Sequence, residues 1–110
     1  MTGFPPLVRA GIKVRALGRC ERCRAADPRD VHHRRARGMG GTSEPWVNAA
    51  ANGVYLCGDC HAWAEANFTA AQESGWRISL HSDLTAAEVP LIDLYGRHFS
   101  LGDDLSVSDE

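Results

Sequence analysis

Four cysteines, a cluster of histidines and a run of arginines are the side chains of this sequence whose types and spacing can do chemistry. Cys20-Glu-Arg-Cys23 and Cys57-Gly-Asp-Cys60 are two CxxC pairs separated by 33 residues. A CxxC turn aims two sulfurs at one point, and two such turns complete the tetrahedron that Zn²⁺ prefers. A site filled by four thiolates is closed, so this zinc is expected to hold the fold and not to be a reaction centre. Redox CxxC motifs or unrelated free thiols are the plain alternative, and two pairs in one short chain count against it. Binding of a structural zinc contributes on the order of 10 kcal/mol to the folding of small domains.

The spacer between the pairs carries the second feature, Asp30-Val-His-His-Arg-Arg-Ala-Arg-Gly-Met-Gly-Gly41. On a strand, His32 and His33 point to opposite faces and so take different roles. His61 follows Cys60 directly, and Glu65 lies four residues on, on the same helix face. An i, i+4 pair of ligand-type residues can clamp one metal. His81 and His98 show no ligand spacing and read as structural or surface residues.

These groups need elements to hold them. Leu7–Leu17 reads as a short helix after Pro5-Pro6, weakened by Gly11 and stopped by Gly18. Val31–Arg35 and Val54–Leu56 read as strands, residues 38–52 as a loop, and His61–Gly75 as one long helix ended by its glycine. Trp63 is expected to pack that helix against the sheet, and Trp46 and Trp76 belong to the core or a lid. Trp76–Leu80 alternates and reads as a strand, residues 84–89 as loop or a helical turn, and Pro90–Leu101 as a small hairpin. Residues 102–110 are acidic and are expected to be a disordered tail. The chain of 110 residues reads as one domain over 1–101, with its core at 18–75 and no repeats.

Charge is distributed unevenly. Residues 1–38 carry ten Lys/Arg against three acids, a balance of +7, and residues 39–110 carry −9. The basic half is a candidate surface for a polyanion, against the plain reading of a solvated face. No apolar run approaches the roughly 18 residues of a membrane span, and the first residues lack the pattern of a secretory signal. The expectation is a cytoplasmic protein, in which cysteines serve metals more often than disulfides.

Taken jointly, CxxC, then His32-His33, then Asn52, then Leu56-Cys57-Gly-Asp-Cys60-His61 resembles the HNH endonucleases, also called His-Me finger or ββα-metal nucleases. HHRRARGMGG, with a Trp-containing helix after LCGDCH, is similar to small HNH proteins of bacteriophages. The resemblance implies an α+β ββα-metal fold stapled by a four-cysteine zinc. It implies His32 as a ligand of a catalytic divalent ion (Mg²⁺, Mn²⁺ or another) and His33 as the general base. It further implies His61 as a metal ligand and Asn52 as a residue that orients the His33 loop or joins the metal shell, with Asn48 its rival. Glu65 stands where some relatives carry a second histidine; a carboxylate suits Mg²⁺ or Mn²⁺. Arg34, Arg35 and Arg37 follow the base and are expected to hold DNA phosphates with little base preference. A phage protein acting in DNA packaging with terminase or portal proteins is implied as well, in the host cytoplasm and as monomer or homodimer. The alternatives are a non-catalytic zinc-finger module binding nucleic acid or protein, and a structural packaging factor.

Overall fold

The computed structural model describes residues 3–36 and 45–109. Its elements are α1 (Pro6–Arg15), β1 (Asp30–His33), β2 (Gly53–Leu56), α2 (Gly58–Ala66), α3 (Phe68–Glu73), β3 (Leu91–Ile92), β4 (His98–Leu101) and β5 (Val107–Asp109). Short 3₁₀ turns occupy Pro45–Asn48, Ala50–Asn52 and Ala86–Glu88. The class is α+β. Among the described residues, no helix is long and apolar enough to cross a membrane.

Pro6 opens α1 in the first turn, where its missing N–H costs nothing. Lys13 and Arg15 close the helix with cations at its negative end. Leu17 and Gly18 then adopt left-handed backbone, so the helix stops two residues short of the expected Leu17. The Arg15 guanidinium anchors α1: it donates to Glu21 Oε1 at 2.7 Å, to Ala50 O and to Gly53 O, with both charged side chains almost fully buried. Glu21 in turn accepts from Tyr55 N, so both charges are matched by other polar groups.

β1 and β2 form an antiparallel pair in which His32 faces Val54 and His33 faces Gly53. α2 starts directly after β2, with Cys57 as its N-cap and its sulfur accepting from Cys60 N. β3, β4 and β5 make a second antiparallel sheet, with Leu91 opposite Phe99 and Leu101 opposite Val107. Between the sheets and α2–α3 lies the main core, which includes Leu56, Ala64, Ala71, Trp76, Leu91, Phe99 and Leu101. A smaller cluster of Phe4, Ile12 and Ala50, with Val8, Val31 and Tyr55 against it, joins α1 to the first sheet.

Three expectations about elements differ from what is found. The helix over 61–75 is two helices that begin earlier, inside the CxxC turn; the break is at Asn67, whose φ of −120° and ψ of 65° leave the helical region. The Asn67 amide also donates to Trp63 O, competing with the helix ladder. Trp76–Leu80 is not a strand. Trp76 and Ile78 are buried, which explains the alternation, but only isolated bonds such as Ile78 N to Arg34 O tie the segment down. The acidic end is not a structureless tail over its described length, because Val107–Asp109 pairs with β4. Gly75 ends α3 as expected, with a φ of 85°; any side chain there would run into Pro90 O.

Candidate functional site

The four cysteines converge. Their sulfurs lie within 4.8 Å of one another, with Cys23 and Cys57 4.0 Å apart. Tetrahedral zinc with Zn–S bonds of about 2.3 Å requires sulfurs about 3.8 Å apart, so the donor set fits a structural metal, whereas no pair is disulfide-bonded. Cys20, Cys57 and Cys60 are buried. Burial pushes the Cys23 thiol up, but hydrogen bonds from the Ala26 and Ala25 backbone and from Cys20 and Cys57 outweigh it and bring the group down to about 7. Burial raises the Cys57 and Cys60 thiols. Arg22 donates to Cys60 Sγ at 3.4 Å and stacks 3.6 Å from the Trp63 ring centroid, placing a cation beside sulfurs that a metal would hold as thiolates. Trp63 is thus half-buried beneath an arginine.

One helical turn further along α2, a second cluster forms. Ligand-type atoms of His32, His61 and Glu65 also lie within 4.8 Å of one another. His61 Nε2 is 3.2 Å from Glu65 Oε1, and His61 Nδ1 is 3.4 Å from Asp30 Oδ2. A carboxylate on the far nitrogen of an imidazole is the arrangement that fixes ligand histidines in metal sites. His32 reaches this point from β1, its ring centroid 5.0 Å from that of His61. His32 is 8% exposed, and its Nε2 is buried with no hydrogen-bond partner among the described residues. Burial, and then the charge of His61, lower the imidazole to about 4, so it is neutral at pH 7. A buried, neutral, unpartnered nitrogen facing an imidazole and a carboxylate is what a divalent ion requires of a ligand. The donor set therefore fits a cation that accepts mixed N and O ligands.

This cluster borders an open cleft of about 370 Å³, lined by Val31, His32, His33, Ala36, His61, Glu65 and Arg77. His33 leaves the strand on the opposite side from His32, as the two-residue period requires. Its ring stacks on Phe4, and Nε2 lies 2.9 Å from Asn48 Oδ1. An amide oxygen only accepts, so Nε2 donates in this contact.

Of the expected site residues, Asn52 is placed to orient the His33 loop, one of its two expected roles, and Arg34 is corrected. Asn52 is fully buried and does not line the cleft. Its amide accepts from Arg35 N and donates to Arg35 O and Val47 O, which fixes the turn that follows His33. The amide that meets the His33 ring belongs to Asn48. Arg34 is 1% exposed and donates to four backbone carbonyls, those of Gly75, Ala51, Ala86 and Val89. It cannot reach a phosphate; it ties together segments that have no common sheet. Burial lowers its guanidinium to about 9, still charged at pH 7. Arg35 is half-buried, donating to Leu80 O and lying 5.0 Å from the Trp46 ring centroid. Arg37 lies outside the described residues.

Arg77, Asp30 and Phe4 form part of the site without having been singled out by sequence. Arg77 lines the cleft, 3.6 Å from Glu65. Its position between Trp76 and Ile78, both buried, is a weak signal that it faces the other way. Nothing local marks Phe4, 29 residues before His33. Compared with protein-family models, with curated proteins and with solved structures, the chain gives no match.

Proposed function

We propose that this protein is a metal-dependent DNA endonuclease of the HNH type, with a zinc-stapled ββα-metal unit made of β1, β2 and α2. The observation that carries this reading is the buried, unpartnered His32 Nε2 that shares a cluster with His61 and Glu65 beside the His33 ring. The order of two antiparallel strands followed at once by the helix that bears ligand residues supports it further.

In this reading His32, His61 and Glu65 hold a divalent ion such as Mg²⁺ or Mn²⁺, and the four cysteines hold zinc. The divalent ion supplies charge stabilisation for the phosphate oxygens and the departing 3′ oxygen. His33 takes a proton from water as the water oxygen bonds to phosphorus and the P–O3′ bond breaks. The products are a 5′-phosphate and a 3′-hydroxyl, the latter taking its proton from solvent. Asn48 keeps the His33 proton on Nε2. Asn52 holds the turn behind it. Arg77 takes over the phosphate-binding role expected of Arg34. One such site cuts one strand, so a monomer nicks.

Plasmid relaxation tests the proposal. Zinc-loaded protein with Mg²⁺ or Mn²⁺ is expected to nick supercoiled plasmid, and His33→Ala with zinc retained is expected not to. Folded, zinc-loaded protein that leaves plasmid intact with either ion favours a non-catalytic zinc module.

A further inference from the structure

Two of the contacts that hold the His33 ring come from Asn48 and from Phe4, and the second is the more distant in sequence. Asn48 bonds its edge at 2.9 Å, which sets the rotation of the ring in its own plane. Phe4 covers its face. The ring centroids are 4.0 Å apart and the planes differ by 12°, which sets the plane itself.

Phe4 is placed by a chain of rigid contacts. It is 5% exposed and packs with Ile12 and Ala50 in the cluster separate from the main core. Pro5 and Pro6 join it to α1, with Pro5 at φ −55° and ψ 149°, so the distance from the helix to the ring is fixed by proline geometry. The buried Arg15–Glu21 pair and the bonds from Arg15 to Ala50 O and Gly53 O then hold α1 against β2. Across the strand pair from His33 stands Gly53. A Cβ at Gly53 would come within 2.9 Å of Phe4 Cζ and 2.5 Å of Ile12 Cδ1, so the glycine leaves the space that this ring enters.

We infer that Phe4 is a positioning residue for His33: a stacking platform delivered by the segment before α1 that fixes the plane of the base. The inference rests on the endonuclease reading. Phe4 touches no reacting atom, so its effect is on the turnover step, where small errors in orientation are costly, and not on DNA binding.

The test compares Phe4→Leu and Phe4→Trp in the full zinc-loaded chain, using supercoiled plasmid with Mn²⁺. Leucine keeps apolar bulk in the cluster but cannot stack, and tryptophan can. Phe4→Leu is expected to lower kcat about 10- to 100-fold with KM for plasmid nearly unchanged, and Phe4→Trp to recover most of it. Zinc content and thermal midpoint serve as controls for folding. Independently of activity, the imidazole proton signals of His33, assigned with His33→Ala, are expected to show a ring-current shift that Phe4→Leu removes and Phe4→Trp keeps. Wild-type kcat in Phe4→Leu, or a fall that tryptophan does not recover, overturns the inference. If wild-type protein does not nick, the endonuclease reading falls and the positioning role with it. A surviving ring-current difference then marks the stack as packing alone.

Discussion

The two ligand clusters of this protein share one helix and differ in almost everything else. The first turn of α2 gives Cys57 and Cys60 to a group of four like donors, mostly buried among core residues. The next turn gives His61 and Glu65 to a group of three unlike donors at the mouth of a cleft, with the Glu65 side chain 58% exposed. Four soft, enclosed donors leave a metal nothing further to bind, whereas three donors bordering a cleft leave it open positions. Closure suits a staple, and openness suits a reaction. The short distance along α2 means that whatever fixes the first cluster also aims the second.

If the cysteine cluster is the staple, stripping its metal has the largest effect of any perturbation. Chelation, or Cys60→Ser, should cost on the order of 10 kcal/mol, more than a domain of this size can spare. Loss of cooperative thermal unfolding in circular dichroism is the expected result; an unchanged midpoint would remove the staple from the account. Because the ligands must shed protons, zinc binding should also release protons into a weak buffer.

Arg34→Ala comes next. It strands four buried carbonyls that the guanidinium now satisfies, and should destabilise the fold by about 3–5 kcal/mol in denaturant titrations. Arg34→Lys should recover only part of this, since an ammonium cannot match the spread of the fork. Stability unaltered by either change would mean that the arginine is not a structural tie.

The open cluster has a pH signature of its own. His32 is lowered to about 4 by burial from an ordinary value near 6.5. Its contribution is therefore fully present above about pH 6.5 and is lost as pH falls toward 4, amounting to about 3 kcal/mol at most. Subtracting the profile of His32→Gln isolates it from the thiolates, and parallel profiles for the two proteins would contradict the burial.

Smaller effects separate ligand from support. Glu65→Gln should weaken Mn²⁺ binding by more than tenfold, while Asp30→Asn, acting through His61, should cost about tenfold. Both should leave zinc content alone. An equal response of the two clusters to Glu65→Gln would mean that they are not independent.

Much of this division was legible in the sequence, because it rests on short-range spacing. Two CxxC turns, the alternation of His32 and His33, and the helical pitch from His61 to Glu65 each place side chains through local geometry. The expected strands reappear as Asp30–His33 and Gly53–Leu56, and the hairpin near Pro90–Leu101 as β3 and β4. What sequence concealed was set by distant partners. An arginine beside two histidines looks like a phosphate contact until Gly75, Ala86 and Val89 arrive from 41 to 55 residues away to claim its donors. Spacing to Cys57 favours Asn52 over its rival Asn48, and only the 3₁₀ turns that carry them decide which amide meets the ring. The strand at Val107–Asp109 is hidden because all three of its side chains are exposed and show no buried alternation, and backbone pairing with β4 defines it.

The most direct measurement of the central claim is the rate of plasmid nicking by His33→Ala relative to the wild type, both zinc-loaded, with and without Mn²⁺. The account predicts ion-dependent nicking that falls by about 10²- to 10⁴-fold in the variant, with the zinc content and thermal midpoint of the wild type. Equal nicking by both proteins would contradict it.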